Sequence, residues 1–245
     1  MPTRLDHLVI LVQDLEAAIR DYGRLGFGVT LGGEHADGLT RNALVPFWDG
    51  TYLELVAFIE PEGGGDNVWG WRGFLPRGGL VDYCAASEDL RTEVERLRGL
   101  GYGVEDFGEG GRRLPDGREI RWRSAGFRQE GRVLPFLIED LTSRARRVPG
   151  GPTADHPNGA TGISRLEIST PDPGKASRDL AALTGAPTEA LELGKCELVL
   201  MDGDAGRGAG PTAVTLSTDA PENAVELDPG LAHGARFTLA PEADS

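Results

Sequence analysis

The feature that most constrains the fold of this chain is an internal repeat with an offset of 75 residues. In each copy a short strand pattern, HLVILV or DYCAAS, is followed by an aspartate, Asp14 or Asp89, suited to cap a helix. Each helix pattern stops at a glycine, Gly26 or Gly101. The apolar helix positions are Leu15, Ile19, Tyr22 and Leu25 in the first copy and Leu90, Val94, Leu97 and Leu100 in the second. Spacings of four, three and three place them on one stripe, so the repeat predicts two units of one fold.

The segments after each helix change from a helical to a strand-like period. The first unit continues with GVTLGG, RNALVPF and TYLELVAFI, and the second with GVEDFG, REIRWRS and VLPFLIED. The pattern predicts an α+β protein with tandem βαβββ units at about residues 4–60 and 79–141. A weaker third copy begins at ISRLEIST, with strands near EALEL, CELVLM and AVTLST. We therefore predict a paired domain over 1–148, a linker over 149–161, and a degenerate third βαβββ-like unit with a tail over 162–245.

Charge and composition exclude several classes of partner. Asp and Glu number 39 against 25 for Lys and Arg, which gives a net charge of -14 and disfavours nucleic acid and anionic membranes. The longest apolar runs fall far short of the ~20 residues that span a bilayer. Cys84 and Cys196 lie too far apart in sequence for a zinc motif. The opening MPTRLDHLVI does not resemble a secretory signal, so we expect a cytoplasmic protein.

Two polar residues interrupt strands that are otherwise apolar. By period-two alternation His7 shares a strand face with Val9 and Leu11, and Glu54 lies between Tyr52 and Val56 on one face. A buried carboxylate needs a partner, so an imidazole, a metal ion or a ligand hydroxyl is expected nearby. The sequence leaves open whether these residues form a metal site or a hydrogen-bonded His/Glu pair that lines an ordinary cavity.

A second polar cluster lies in GGEHADGLTRNAL, where His35, Thr40 and Asn42 offer an imidazole, a hydroxyl and an amide. These groups suit recognition of the carbonyls or hydroxyls of a small ligand, while turn capping by His35 and surface exposure of Asn42 are the alternatives. Trp122 and Phe136 are predicted either to wall a ligand cavity or to belong to the core.

A run of arginines surrounds the second-unit hairpin. A solvated strand face with salt links is the favoured interpretation, and an anion-binding rim is the alternative. The four residues are Arg112, Arg113, Arg121 and Arg123.

Several separated segments together resemble one known superfamily. LDHLVILVQDLEAAIRDYGRLGFGVT with GGEHADGLTRNALVPFWDGTYLELVAF, and later RRLPDGREIRWR, LPFLIED and HPNGATGISRLEI, are similar to the glyoxalase-like branch of the vicinal oxygen chelate superfamily. The resemblance implies that the two units pair and curl their mixed sheet around a cavity, with the helices outside. The superfamily scaffold carries isomerases, lyases, ring-cleaving dioxygenases, epimerases and drug-sequestering proteins, so the resemblance leaves the reaction open.

In metal-using members, side chains from the first and fourth strands of each unit hold a divalent ion. The resemblance implies His7 and Glu54 as ligands from the first unit, and Asp82 stands where the second unit usually has histidine. For the fourth position, Glu139 is the nearest carboxylate, but alternation can instead turn Phe136 inward. Zn, Ni, Mn and Fe are the candidate ions.

The leading hypothesis for function is a glyoxalase-like enzyme that acts on a small carbonyl- or hydroxyl-bearing metabolite. A metal ion would serve as Lewis acid in isomerase or lyase chemistry, and Glu54 or Asp82 would move the proton. The alternative is a metal-free small-molecule-binding or drug-sequestering protein. A third hypothesis, a ring-cleaving dioxygenase, requires His35 as a second histidine on iron. A homodimer through the third unit is expected.

Overall fold

The structure is a computed structural model that describes residues 1–2, 4–203, 208–220 and 225–241. Part of the predicted third unit and tail, at 204–207, 221–224 and 242–245, lies outside these residues. The first unit comprises β1 (Arg4–Leu11), α1 (Leu15–Arg24), β2 (Thr30–His35), β3 (Thr40–Pro46) and β4 (Tyr52–Phe58). The second comprises β5 (Gly79–Ala86), α2 (Leu90–Gly99), β6 (Val104–Arg113), β7 (Glu119–Phe127) and β8 (Phe136–Asp140). A short 3-10 helix, Trp71–Phe74, lies between them.

The two βαβββ units close into one eight-stranded barrel in the order β1-β4-β3-β2-β6-β7-β8-β5. Within each unit the first strand pairs in parallel with the fourth, β1 with β4 and β5 with β8. The units join through antiparallel contacts of β1 with β5 and of β2 with β6. Closure removes free strand edges and leaves an interior that side chains line. The predicted α+β architecture of tandem units around a cavity is therefore confirmed.

Both repeat helices begin and end where the sequence predicts. The Asp14 carboxylate accepts a hydrogen bond from the Ala17 amide at 2.9 Å, and Asp89 accepts one from Thr92 at 3.1 Å. These bonds satisfy donors that the first helical turn leaves unpaired. Gly26 follows the first helix with φ 86°, a left-handed conformation that costs glycine little.

The C-terminal part forms a second sheet in the order β10-β11-β9-β12-β14-β13. Its elements are α3 (Arg144–Arg147), a 3-10 helix (Gly151–Ala154), β9 (Ala160–Thr170), α4 (Pro173–Thr184), β10 (Glu192–Leu193), β11 (Cys196–Asp202), β12 (Gly210–Thr218), β13 (Val225–Glu226) and β14 (Phe237–Pro241). The sheet repeats the barrel's pairing: β9 is parallel to β11 and antiparallel to β12, which is parallel to β14. It thus resembles a shortened copy of both barrel halves.

Two apolar layers hold these parts together. Leu8 and Ile10 point out of the barrel into the large core, which also contains Leu166 from the C-terminal sheet. Val9 and Leu11 point into the barrel, as alternation requires. The C-terminal sheet therefore packs against the outside of the barrel and leaves the barrel interior to a separate set of side chains. Among the described residues, the helices are too short or too polar to cross a membrane.

Candidate functional site

A β-bulge in β1 brings two consecutive residues into the site. Leu5 pairs with Ala85 and His7 with Cys84, so Asp6 is the extra residue of this strand. Asp6 and His7 are both almost fully buried, and His7 Nδ1 lies 2.8 Å from Asp6 Oδ1. The Asp6 carboxylate therefore fixes the orientation of the imidazole and directs Nε2 toward β4.

Glu54 lies between two imidazoles inside the barrel. Its Oε2 is 3.3 Å from His7 Nε2, and its Oε1 is 3.4 Å from His35 Nε2. Asn42 Nδ2 also donates to Oε1 at 2.5 Å, and only 6% of Glu54 is exposed. His35 Nδ1 in turn lies 2.8 Å from the Thr40 hydroxyl. The structure thus brings together five predicted site residues from β1, β2, β3 and β4.

Arg112 continues this polar wall from the second unit. It lies opposite His35 in the β2–β6 pair, and its side chain reaches into the barrel beside Asn42. Nη1 donates to Asn42 Oδ1 at 3.1 Å and Nη2 donates to the Arg147 carbonyl at 2.8 Å. A Cβ at Gly32 would lie only 1.9 Å from Asn42 Oδ1, so glycine leaves the space that these polar groups fill.

The sequence favoured a solvated face for the arginine run, and the structure divides the run. Arg113 and Arg121 are exposed, Arg123 is partly exposed, and all three form ion pairs with Glu119 or Glu109. Arg112 differs because it is 4% exposed and lines the cavity. In a segment of glycines and arginines no apolar alternation marks which side chain turns inward, so the sequence carried no signal for Arg112.

Arg147, which sequence reasoning missed, ties the two barrel halves together. Its guanidinium bonds both oxygens of Asp6, at 2.9 and 3.0 Å, and both oxygens of Asp140 in β8. It also donates to the Tyr52 hydroxyl at 2.7 Å. Arg144 reaches Asp6 as well. The buried charges of this network are therefore paired and hydrogen-bonded.

Aromatic rings form the opposite wall and the cover of the cavity. Tyr52 stacks on His7 with ring centroids 4.6 Å apart, and Phe136 meets His7 edge-on at 5.4 Å. Trp69 and Trp71 stack on each other at 4.7 Å in the segment between the units. The cavity volume is about 20 Å³, close to what one water molecule requires. A larger ligand therefore requires movement of these lining side chains.

The pKa values show a cluster of fixed charges. Burial would raise the pKa of Glu54, but hydrogen bonds from His35 and His7 outweigh it and hold the pKa well below its usual range. Burial would lower the pKa of His7, yet bonds to Asp6 and Glu54 raise it. Burial opposes ionisation of Asp6, but Arg147 keeps its pKa well below normal. The barrel interior thus favours the protonated form of His7 between the carboxylates of Asp6 and Glu54.

Asp82 is buried at the edge of this cluster, beneath Trp71. Its Oδ2 accepts from Trp71 Nε1 at 2.9 Å, and its Oδ1 accepts from the Tyr83 amide at 2.9 Å. Arg132 Nε lies 3.6 Å from Oδ2. Burial nevertheless raises the pKa of Asp82. Asp82 binds the tryptophan cover and does not join the His7–Glu54–His35 cluster.

Strand register identifies the residue at the fourth metal-ligand position of the superfamily, for which the sequence left Glu139 and Phe136 as alternatives. Glu54 lies opposite Val9, two residues after His7, while Phe136 lies opposite Cys84, two residues after Asp82. Phe136 is therefore the second-unit equivalent of Glu54, and it lines the cavity with Trp122 and Ile138. Glu139 points the other way, toward the Leu90 amide at the start of α2.

The donor set does not fit a resident divalent metal. In the described part of the chain, only one group of three His, Cys, Asp or Glu side chains has its ligating atoms within 4.8 Å of one another. This group is Asp6, His7 and Cys84. Asp6 is already paired with Arg147, and burial raises the pKa of the Cys84 thiol well above normal. The second-unit position equivalent to Glu54 is occupied by Phe136, whose side chain cannot bind a metal ion. His7 and His35 both contact Glu54, but among the described residues these three do not bring their ligating atoms within 4.8 Å of one another, as donors to one divalent ion would have to.

Comparisons with known proteins agree with this architecture. The family model described as "Glyoxalase-like domain" matches residues 5–184. A hypothetical protein from Staphylococcus aureus superposes with a TM-score of 0.78 at 14% identity, covering 97% of this chain and 99% of the other. A mutant of 4-hydroxymandelate synthase from Streptomyces coelicolor has a TM-score of 0.58 at 14% identity, covering 89% and 71%. No curated protein matches the sequence.

The curled tandem βαβββ barrel, with its polar cluster on the first and fourth strands, defines a protein of the vicinal oxygen chelate superfamily. Because the family model covers most of the chain, this chain belongs to the glyoxalase-like domain family.

Proposed function

We propose that this protein binds a small hydroxyl- or carbonyl-bearing metabolite inside the barrel without a resident metal ion. The observation that carries the proposal is the buried cluster of His7, Glu54 and His35 on the wall of a cavity with aromatic lining. A ligand hydroxyl can donate to the Glu54 carboxylate, and a ligand carbonyl can accept from an imidazole or from Asn42. Such convergent polar groups among apolar side chains are typical of small-molecule sites.

Proton transfer is a second candidate function, in metal-free isomerase or lyase chemistry. The observation that favours it is that Glu54 contacts two imidazoles, so a proton can pass between His7 and His35 through one carboxylate. Glu54 would move the proton, and His7, with its raised pKa, would donate it. Asp82 does not reach the cluster, so its contribution to the site is to hold Trp71 in the cover through a hydrogen bond. Ring-cleaving oxygenase chemistry would need His7, His35 and Glu54 together on one iron, and in the described part of the chain their ligating atoms do not lie within 4.8 Å of one another. The homodimer stays a prediction.

Elemental analysis tests the metal-free part of the proposal. Wild type, His7→Ala and Glu54→Ala are reloaded with Zn, Ni, Mn or Fe and then desalted. We expect far less than one equivalent of metal in all three proteins, because among the described residues the ligating atoms of His7, Glu54 and His35 do not lie within 4.8 Å of one another. Near-stoichiometric metal in wild type that both variants lose would overturn this part and restore the metal-dependent isomerase or lyase hypothesis.

A thermal-shift screen tests binding itself. Glycolaldehyde and dihydroxyacetone carry a hydroxyl beside a carbonyl, and we expect them to raise the Tm of wild type. Glu54→Gln should lose this shift, since it removes the buried acceptor charge. Glu139→Gln is the matched control, because Glu139 faces α2 outside the cavity. Equal shifts in wild type and Glu54→Gln would place binding elsewhere. Chemical conversion of a bound compound by wild type but not by Glu54→Gln would favour the proton-transfer function.

A further inference from the structure

Arg112 stands out because it is a buried cation without a carboxylate partner among the described residues. It is 4% exposed, and both of its hydrogen bonds go to uncharged oxygens, the Asn42 amide and the Arg147 carbonyl. Arg147, by contrast, is paired with two carboxylates. Burial of a charge without an opposite charge is unfavourable, and the usual remedy is a bound counter-ion.

Unused donors point to the same conclusion. A guanidinium has five N–H donors, of which Arg112 uses two, and its Nε is buried with no partner in the described part of the chain. The indole Nε1 of Trp69, another cavity residue, is also buried, and none of the residues that the structure describes bonds to it. Two unsatisfied donors on one small cavity match a ligand that presents acceptor oxygens. A carboxylate suits the planar guanidinium best, because it can accept two parallel hydrogen bonds.

Glu54 sets the second requirement on the ligand. Asn42 bridges the two charged side chains, since its Oδ1 accepts from Arg112 and its Nδ2 donates to Glu54. The cation and the carboxylate therefore lie on one wall with a single amide between them. Glu54 repels a second carboxylate but accepts from a hydroxyl. A ligand that meets both groups has a carboxylate and a neighbouring hydroxyl.

We propose that the cavity takes a short 2-hydroxy carboxylate, whose carboxylate pairs with Arg112 and whose hydroxyl donates to Glu54. This inference rests on the proposed binding function and names its ligand class. The cavity volume is about 20 Å³, so the lining side chains must move to admit this ligand, and the rings of Trp69, Trp122 and Phe136 leave room for few further atoms.

Glycolate, glycolamide and acetate are matched probes of this site. Glycolate has both groups, glycolamide lacks the charge, and acetate lacks the hydroxyl. Binding is measured by tryptophan fluorescence and calorimetry at pH 7.5, with chloride holding the ionic strength constant. We expect wild type to bind glycolate at least about tenfold more tightly than glycolamide, the effect of one charged hydrogen-bonded pair. Acetate should bind with intermediate affinity.

Variants of two neighbouring arginines locate the effect. Arg112→Gln should lose at least about tenfold in glycolate affinity and leave glycolamide affinity within about twofold. Arg113→Gln is the matched control, because Arg113 is the next residue on the same strand and faces solvent. It should bind glycolate as wild type does. Arg112→Lys keeps the charge without the planar fork, so an intermediate affinity is expected even if Arg112→Gln folds poorly.

The outcomes separate this inference from the proposed function. Equal affinity of wild type for glycolate and glycolamide, or unchanged glycolate affinity in folded Arg112→Gln, would overturn the carboxylate inference. The proposed function would survive that result if glycolaldehyde still raised the Tm of wild type but not of Glu54→Gln. If wild type bound none of these compounds, both proposals would be wrong.

Discussion

The two halves of the barrel share one strand order but differ in the side chains that face the cavity. Their strands pair in the same order and register, so inward-facing positions correspond one to one. At four pairs of corresponding positions the first half has a polar side chain and the second half has another residue type. These pairs are His7 and Asp82, Thr40 and Trp122, Asn42 and Ser124, and Glu54 and Phe136.

The difference shows what a duplicated fold preserves. Hydrogen bonding between strands fixes which positions face inward, but it places no demand on the side chain there beyond its size. The first half therefore has a charged cluster, and the second half has the aromatic rings of Trp122 and Phe136. In the proposed binding function, a ligand would meet polar groups on one side and aromatic rings on the other.

The largest expected effect comes from breaking the link between the halves. Arg147 joins Asp6 in β1 to Asp140 in β8, so Arg147→Met leaves two carboxylates without their main partner. We expect the free energy of unfolding to fall by about 3–5 kcal/mol, as for other disrupted buried ion pairs. Urea denaturation measures this loss. Arg146→Met, at an exposed neighbour, should cost about 0.5 kcal/mol or less, and an equal loss in both variants would refute the bridging role.

A smaller effect is expected within the polar half. Glu54→Gln keeps the shape of the side chain but removes the charge that two imidazoles and Asn42 contact. We expect a loss of about 2 kcal/mol in the free energy of unfolding at pH 6. The pKa of His7, followed by NMR, should fall because one of its two acidic partners is neutralised. An unchanged His7 titration would contradict the cluster.

The stability difference between wild type and Glu54→Gln should also depend on pH. The pKa of Glu54 is lowered on folding, so its contribution is present above the unfolded value of about 4.3 and is lost as pH falls through the folded pKa. The pKa of His7 is raised, so its contribution is lost as pH rises from about 6.5 through the folded pKa. The difference should be largest between about pH 5 and 6.5. Urea unfolding from pH 3 to 9 that gave a constant difference would exclude this coupling.

The smallest expected effect lies at the cover, where Trp71 from the segment between the units contacts Asp82 of the second half. Trp71→Phe keeps an aromatic ring but removes the donor to Asp82, whose pKa is already raised by burial. We expect a loss of about 1 kcal/mol in the free energy of unfolding and faster ligand entry, measured by stopped-flow fluorescence. An entry rate equal to that of wild type would show that Trp71 does not close the cavity.

Much of the candidate site followed from local pattern. His7 and Glu54 were found because each interrupts an apolar strand, and the structure places them 3.3 Å apart. The roles assigned to them remain predictions. Asp6 and Arg147 escaped notice because they are separated by 141 positions in sequence, and because a bulge, which alternation does not reveal, turns Asp6 inward.

The sequence by itself determined the duplicated units, the capped helices and the polar positions of the first half, because all of these depend on periodicity within a few residues. Only the tertiary structure decided the equivalence of Phe136 with Glu54, the burial of Arg112 away from the carboxylates of the described residues and the pairing of Arg147 with Asp6. Those outcomes depend on strand register and on barrel closure. Contacts between distant segments set both, and local propensity does not encode them.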